Sequence, residues 1–182
     1  MEIFDIVDMN GNPTGETIER TKAHEIGAMH RTAHIWVVRE NNGVTQVLLQ
    51  KRSANKDSFP NRLDTSSVGH IQAGDEPLES AIRELSEELG IKAMPEDLNF
   101  AGTFIIDYEK EFHGKMFKDK EIAFVYVYDK KVDINNLTLQ TEEVSDVIWC
   151  GLDEAYNGTK NHNPIFCIPI GGLDVLKKYL CK

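Results

Sequence analysis

Residues Arg83-Glu84-Leu85-Ser86-Glu87-Glu88-Leu89-Gly90 bring three carboxylates and a guanidinium together within a few positions of one another. On a helical wheel with Glu84 at zero, Glu87 falls at roughly 300° and Glu88 at roughly 40°. Leu78, Ala81, Ile82, Leu85 and Leu89 gather between roughly 60° and 160° on the same wheel. One strip is therefore apolar and bound for a core, and the strip beside it holds three negative charges within mutual reach. Like charges so close are destabilising. A hard divalent cation with oxygen ligands, Mg²⁺ or Mn²⁺, reverses the sign of that cost.

The residues around this strip fit a helix from about Glu76 to Leu89. Pro77 suits a first turn, where its missing N–H has no partner to lose. Asp75 and Glu76 stand where a side-chain oxygen caps that turn. Gly90 suits the residue after the last turn, where positive φ costs least for glycine. Arg83 lies four residues from both Glu79 and Glu87, so it can hold an acidic ligand in place. Ser80 is small and leaves room above the acidic strip. The loop Gly69–Gly74 that precedes the helix is free enough in backbone to approach a metal or a phosphate.

This stretch resembles the signature of the Nudix hydrolases, G-x5-E-x7-R-E-U-x-E-E-x-G-U with U a bulky aliphatic residue. The match falls on Gly69, Arg83, Glu84, Leu85, Glu87, Glu88, Gly90 and Ile91. The departure is Asp75 in place of the first Glu, a residue credited in the family with supporting the loop. The resemblance implies an α/β/α sandwich with a mixed β-sheet, and one domain over residues 1–182. Its core would run from about 29 to 160, with an N-terminal hairpin and a C-terminal helix as extensions. It also implies Mg²⁺ or Mn²⁺ held by Glu84, Glu87 and Glu88, with Glu84 as ligand or general base and Arg83 keeping the acids in register.

Outside the signature the chain resembles the isopentenyl-diphosphate isomerase branch, through Gly11–Gly15, the His24 and His30 pair, Ser67–His70 and Glu143–Leu152. Those isomerases bind a metal through positions that correspond here to His24, His30, His70, Asp119 and Glu121. His24 and His30 stand one residue closer together than the isomerase pair. Val68 occupies the place of the isomerase's catalytic Cys, so the proton relay lacks its thiol and hydrolysis is expected instead. His34 joins His24, His30 and His70 as a candidate ligand of a second metal site, whereas His113 and His162 carry no expected ligand role. Imidazole ligands suit Zn²⁺ or Mn²⁺ better than Mg²⁺. Glu121, heading a strongly β stretch, is expected to complete the metal shell or act as base.

Composition narrows the rest. The 182 residues have a net charge of −10, from 30 acidic and 20 basic side chains. That disfavours a nucleic-acid polymer as partner. A phosphorylated substrate is compatible once two divalent cations bring +4 against the −3 of the acidic strip. Lys51, Arg52 and Lys56, where a strand runs into a loop, are the candidate phosphate contacts. Three cysteines, Cys150, Cys167 and Cys181, lack metal-site spacing and read as free thiols. No signal peptide or membrane-length apolar run is evident, so a cytoplasmic location is expected. A homodimer is compatible with all of this.

The remaining pattern reads as strands at Glu2–Asp8, Glu16–Glu19, Thr32–Arg39, Gln46–Lys51, Leu98–Tyr108, Glu121–Asp129 and Val144–Cys150. Helices are expected at Thr21–Met29, Leu152–Tyr156 and Leu173–Leu180. Long loops at Ser53–Ser67 and Lys110–Lys120 are the expected specificity elements. The expected activity is cleavage of the phosphoanhydride bond of a nucleoside diphosphate linked to another group. An isomerase of isopentenyl diphosphate and a non-catalytic nucleotide-binding domain are the alternatives.

Overall fold

The computed structural model describes residues 1–181. A two-stranded antiparallel hairpin, β1 (Ile3–Val7) and β2 (Pro13–Glu19), leads into a short helix, α1 (Arg20–Ile26). Asp8 shapes the hairpin turn by accepting from the backbone N–H groups of Asn10 and Asn12 at 2.8 and 2.9 Å. Seven further strands form one sheet: β3 (His30–Asn41), β4 (Val44–Arg52), β5 (Leu63–Asp64), β6 (Ser67–His70), β7 (Leu98–Phe112), β8 (Lys115–Tyr128) and β9 (Val144–Gly151). The order β5-β4-β3-β8-β7 is extended by β6 on β3 and β9 on β4. β3 and β8 run parallel and the other pairs antiparallel, so the sheet is mixed.

The sheet forks. The second half of β3 pairs with β4, but its first half pairs with β6, and the second half of β4 pairs with β5 and β9. Ser66 closes the crotch, accepting from Val37 N–H at 2.8 Å and donating to the Leu48 carbonyl at 2.5 Å. The segment that fills the fork runs directly into α2 (Pro77–Leu89), which places the acidic strip at the fork's mouth.

Alternation along β3 separates two cores. Ala33, Ile35 and Val37 pack with Leu48 against Ala81, Leu85 and Leu89 of α2. Trp36 and Val38 pack with Val47, Leu49, Val125 and Val127 under α3 (Leu152–Lys160) and α4 (Ile170–Leu180). The result is helix, sheet, helix in three layers, as expected. Leu85 has no exposed surface, so truncating it to Ala should cost about 2–5 kcal/mol.

Two expected loops are shorter than the sequence suggested. The polar stretch Lys110–Lys120 is mostly ladder: β7 continues to Phe112, and only His113 (φ 51°) and Gly114 (φ 75°) turn before β8. That pair of positive φ angles suits a two-residue hairpin turn. Of the charged residues that suggested a loop, Lys118 and Lys120 pair across the strands with Glu109 and Asp107, each at 3.7 Å, while Asp119 between them turns inward. Within Ser53–Ser67, β5 forms at Leu63 and β6 begins at Ser67. The helix at Leu152 also runs further than expected, to Lys160.

Candidate active site

α2 begins at Pro77 and ends at Leu89, with Gly90 left-handed (φ 71°) and its N–H bonded to the carbonyls of Leu85 and Ser86. The expected side-chain cap does not form: Glu76 is the cap residue by backbone and makes no capping bond. Ser80 is buried among the core residues of the helix rather than standing above the acids.

The three carboxylates differ in setting. Glu88 is buried, and its Oε2 accepts from Ser67 Oγ at 2.6 Å, Val68 N–H at 3.1 Å and Gln50 Nε2 at 3.1 Å. Burial, reinforced by the charge of Glu84, nonetheless pushes its pKa up to about 8. Glu84 is pushed up to about 7, by burial first and by Glu87 next, against the pull of Arg83. Glu87 is the exposed member, with 52% of its side chain accessible. Arg83 donates to Glu84 Oε1 at 2.7 Å and reaches Glu87 at 3.5 Å and the His70 carbonyl at 3.3 Å. It therefore ties helix to loop, and its main acidic partner is its neighbour Glu84 rather than Glu79.

These acids line one side of a cavity of about 530 Å³. Arg52, Lys56, Phe59, Tyr108 and Phe117 line it as well. Arg52 and Lys56 arrive already paired, Arg52 with Asp64 at 3.1 Å and Lys56 with Glu143. Lys51 is a correction. Side chains alternate along β4, so Gln50 and Arg52 turn inward while Lys51 is exposed and lines no part of the cavity.

The histidine group assembles from four elements. One ligand atom each from His24 (α1), His30 (β3), His70 (β6) and Glu121 (β8) lie within 4.8 Å of one another. Parallel pairing sets His30 opposite Glu121, and antiparallel pairing sets Thr32 opposite His70. Glu121 stands 3.5 Å from Nε2 of both His30 and His70, and Asp119 stands 3.5 Å from His24 Nε2. Glu121 stays well below the usual carboxylate range: burial opposes ionisation, and the contacts with His30 and His70 outweigh it. Asp119 is pushed up to about 6 by burial and by Glu121. Nε2 of His24, Nε2 of His30 and Oδ1 of Asp119 are buried with no hydrogen-bond partner. Unsatisfied lone pairs converging from several elements are what a cation would occupy, so the donor set fits a metal. His34 lies apart from this group, buried edge-on to Phe104 at 5.3 Å. His113 and His162 sit in turns with φ of 51° and 56°.

Several contributors escaped the sequence reading. Thr32 Oγ1 donates to Glu121 at 3.0 Å, and Phe4 stacks on both His30 (4.8 Å) and His70 (4.6 Å). Gln50 and Ser67 hold Glu88. A polar residue on the inward side of an apolar strand was the available signal for Gln50. Cys167, from the segment before α4, lines the same cavity as Val68, but burial and Asp64 raise its pKa far above that of an ordinary thiol. All three cysteines are free. Among the described residues no helix is long and apolar enough to cross a membrane.

The NUDIX domain model matches residues 28–167 of the chain. A Nudix hydrolase of Clostridium acetobutylicum is 39% identical over 153 residues, covering 84% of this chain and 71% of that protein. A crystal structure of DR0079 from Deinococcus radiodurans superposes with a TM-score of 0.71 at 18% identity, covering 97% of this chain and 98% of that one. An Ap4A hydrolase from C. elegans, in a binary complex, superposes with a TM-score of 0.57 at 22% identity, over 83% of this chain and 97% of that one. The two structures agree with this one in fold, and the family follows from the sequence matches across most of the chain, so the chain belongs to the Nudix hydrolases.

Proposed function

We propose that the protein is a metal-dependent pyrophosphohydrolase that cleaves the phosphoanhydride bond of a nucleoside diphosphate linked to another group. The observation that carries this reading is the pair Glu84 and Glu88. Two mostly buried carboxyls with raised pKa values share one cavity wall with Glu87, and the cations Arg52 and Lys56 line the same cavity. A binding module would have no need to crowd carboxyls at that cost. The Ap4A hydrolase among the structural neighbours supports a phosphoanhydride substrate.

Glu84, Glu87 and Glu88 would hold Mg²⁺ or Mn²⁺, with Ser67, Gln50 and the Val68 N–H fixing Glu88 from behind. A divalent cation bound there supplies positive charge to the pyrophosphate oxygens and makes water a better nucleophile. Arg83 fixes Glu84, which would serve either as a ligand of that ion or as the general base that takes a proton from water. Lys56 and Arg52 would contact phosphate oxygens as charge builds on the leaving group. His24, His30, His70, Asp119 and Glu121 would hold a second ion, for which imidazole favours Mn²⁺ or Zn²⁺. Val68 at the isomerase thiol position supports hydrolysis over double-bond isomerisation.

Chromatographic detection of the two phosphorylated cleavage products from a panel of phosphoanhydrides, with and without Mg²⁺ or Mn²⁺, tests the reading. The panel includes nucleoside diphosphates, nucleotide sugars, ADP-ribose and isopentenyl diphosphate. Metal-dependent cleavage that disappears in Glu87→Gln, with the fold retained, is expected. Dimethylallyl diphosphate formed with no cleavage of a P–O–P bond would replace the reading with isomerisation, and an active Glu87→Gln would contradict the ligand set.

A further inference from the structure

We infer that Asp5, on the N-terminal hairpin and outside the residues the family model matches, is the positioning residue for the Gly69–Gly74 loop, a role the signature assigns to the position of Asp75. Asp5 Oδ2 accepts from the Gly74 N–H at 2.9 Å and from Arg31 at 3.0 Å. The same guanidinium nitrogen of Arg31 donates to the Asp75 carbonyl at 3.2 Å. A second tether runs beside it, from Ala73 N–H to the Ile3 carbonyl at 2.8 Å. The Asp5–Arg31 pair is largely buried, with side-chain exposures of 12% and 7%. The Asp75 side chain, by contrast, makes no hydrogen bond or ion pair among the described residues; only its backbone is held.

The loop's other end faces the candidate metal-binding groups. Gly69 lies against the Glu84 carboxyl, the His70 carbonyl accepts from Arg83, and the His70 imidazole stands 3.5 Å from Glu121. Asp5 therefore fixes one end of a short loop whose other end backs Glu84 and carries His70. Alternation along β1 turns Phe4, its neighbour, onto His30 and His70. The hairpin thus works on both sides of the sheet, clamping the loop on one and stacking the imidazoles on the other.

The inference rests on the metal-dependent reading above, so its test reads Mn²⁺ affinity directly, by the electron paramagnetic resonance of free Mn²⁺. Asp5→Ala is expected to weaken Mn²⁺ binding about tenfold or more, as loss of a supporting hydrogen-bond partner does. Asp5→Asn keeps an acceptor for the Gly74 N–H and should recover much of that loss. Asp75→Ala should leave affinity within about twofold, an effect well below those of supporting partners. If Asp5→Ala alone does not fold because Arg31 is left unpaired, Asp5→Ala/Arg31→Met removes the stranded charge and carries the same expectation. A folded variant lacking Asp5 with wild-type Mn²⁺ affinity, or an Asp75→Ala variant weaker than Asp5→Ala, overturns the inference. Wild-type protein that binds Mn²⁺ but cleaves no member of the panel overturns the hydrolytic reading alone. Wild-type protein with no Mn²⁺ affinity overturns both.

Discussion

Gly69 and Glu84 are in contact through the absence of a side chain. A methyl group at Gly69 would stand 1.9 Å from Glu84 Cδ and 2.3 Å from each carboxyl oxygen. The first glycine of the signature is therefore a seat for the first acid of the helix. The backbone of the loop lies where a Cβ would expel the carboxyl from its place beside Arg83.

Gly69→Ala should consequently act on chemistry more than on stability. Glu84 ends a flexible arm and can swing aside, so the overpacking penalty should stay at the low end of about 1–3 kcal/mol. A displaced reacting group costs about 100-fold in rate, and turnover should fall by at least that much. Thermal unfolding of the metal-free protein should change little. A Gly69→Ala enzyme with near wild-type turnover would remove Glu84 from the reaction.

What was legible in the sequence follows the range of the interactions. The acidic helix rests on periodicity, a first-turn proline and a final glycine, all within residues 77–90, and it formed as read. The β7–β8 hairpin was misread because its charges satisfy one another across strands, from Asp107 to Lys120, which composition alone reports as a polar loop. Thr32 and Glu121 are 89 residues apart, and Gln50 and Glu88 are 38 apart. Such partners become visible only once strand register is known. The histidine group was suggested by resemblance, and it is the pairing of β3 with both β8 and β6 that brings His30, Glu121 and His70 together.

Register also separates two lysines that looked equivalent. Lys56 lines the cavity beside Glu143, whereas Lys51 points away on the exposed side of β4. Lys56→Met should lower kcat/KM about tenfold, the scale of one charge-assisted phosphate contact at roughly 1.4 kcal/mol. Lys51→Met should match wild type within the roughly 0.5 kcal/mol scatter of surface substitutions. Steady-state kinetics on whichever panel member turns over fastest decides it. Equal losses at both positions would mean that general surface charge, rather than a cavity contact, draws in the substrate.

The raised carboxyls make stability depend on pH in a direction that metal should reverse. Glu84 and Glu88 hold their protons in the folded state up to about 7 and about 8, against 4.5 for an ordinary glutamate in the unfolded chain. Between those limits the folded protein binds more protons than the unfolded chain, so stability falls as pH rises. His34 and His70 are lowered by burial and oppose this trend only below 6.5, whereas His30, where the contact with Glu121 outweighs burial, is raised and adds to it, so across the window from about pH 6.5 to 8.5 the slope has one sign. Across it the metal-free protein should lose on the order of 2–3 kcal/mol. Mn²⁺ requires the same carboxyls without their protons, so its affinity and the stability it adds should rise over that window. Melting temperatures at both ends, in EDTA and in excess Mn²⁺, should slope in opposite directions. A metal-free melting temperature that holds steady or climbs would show that burial does not keep these two acids protonated, and would remove the electrostatic argument for a cation at Glu84 and Glu88.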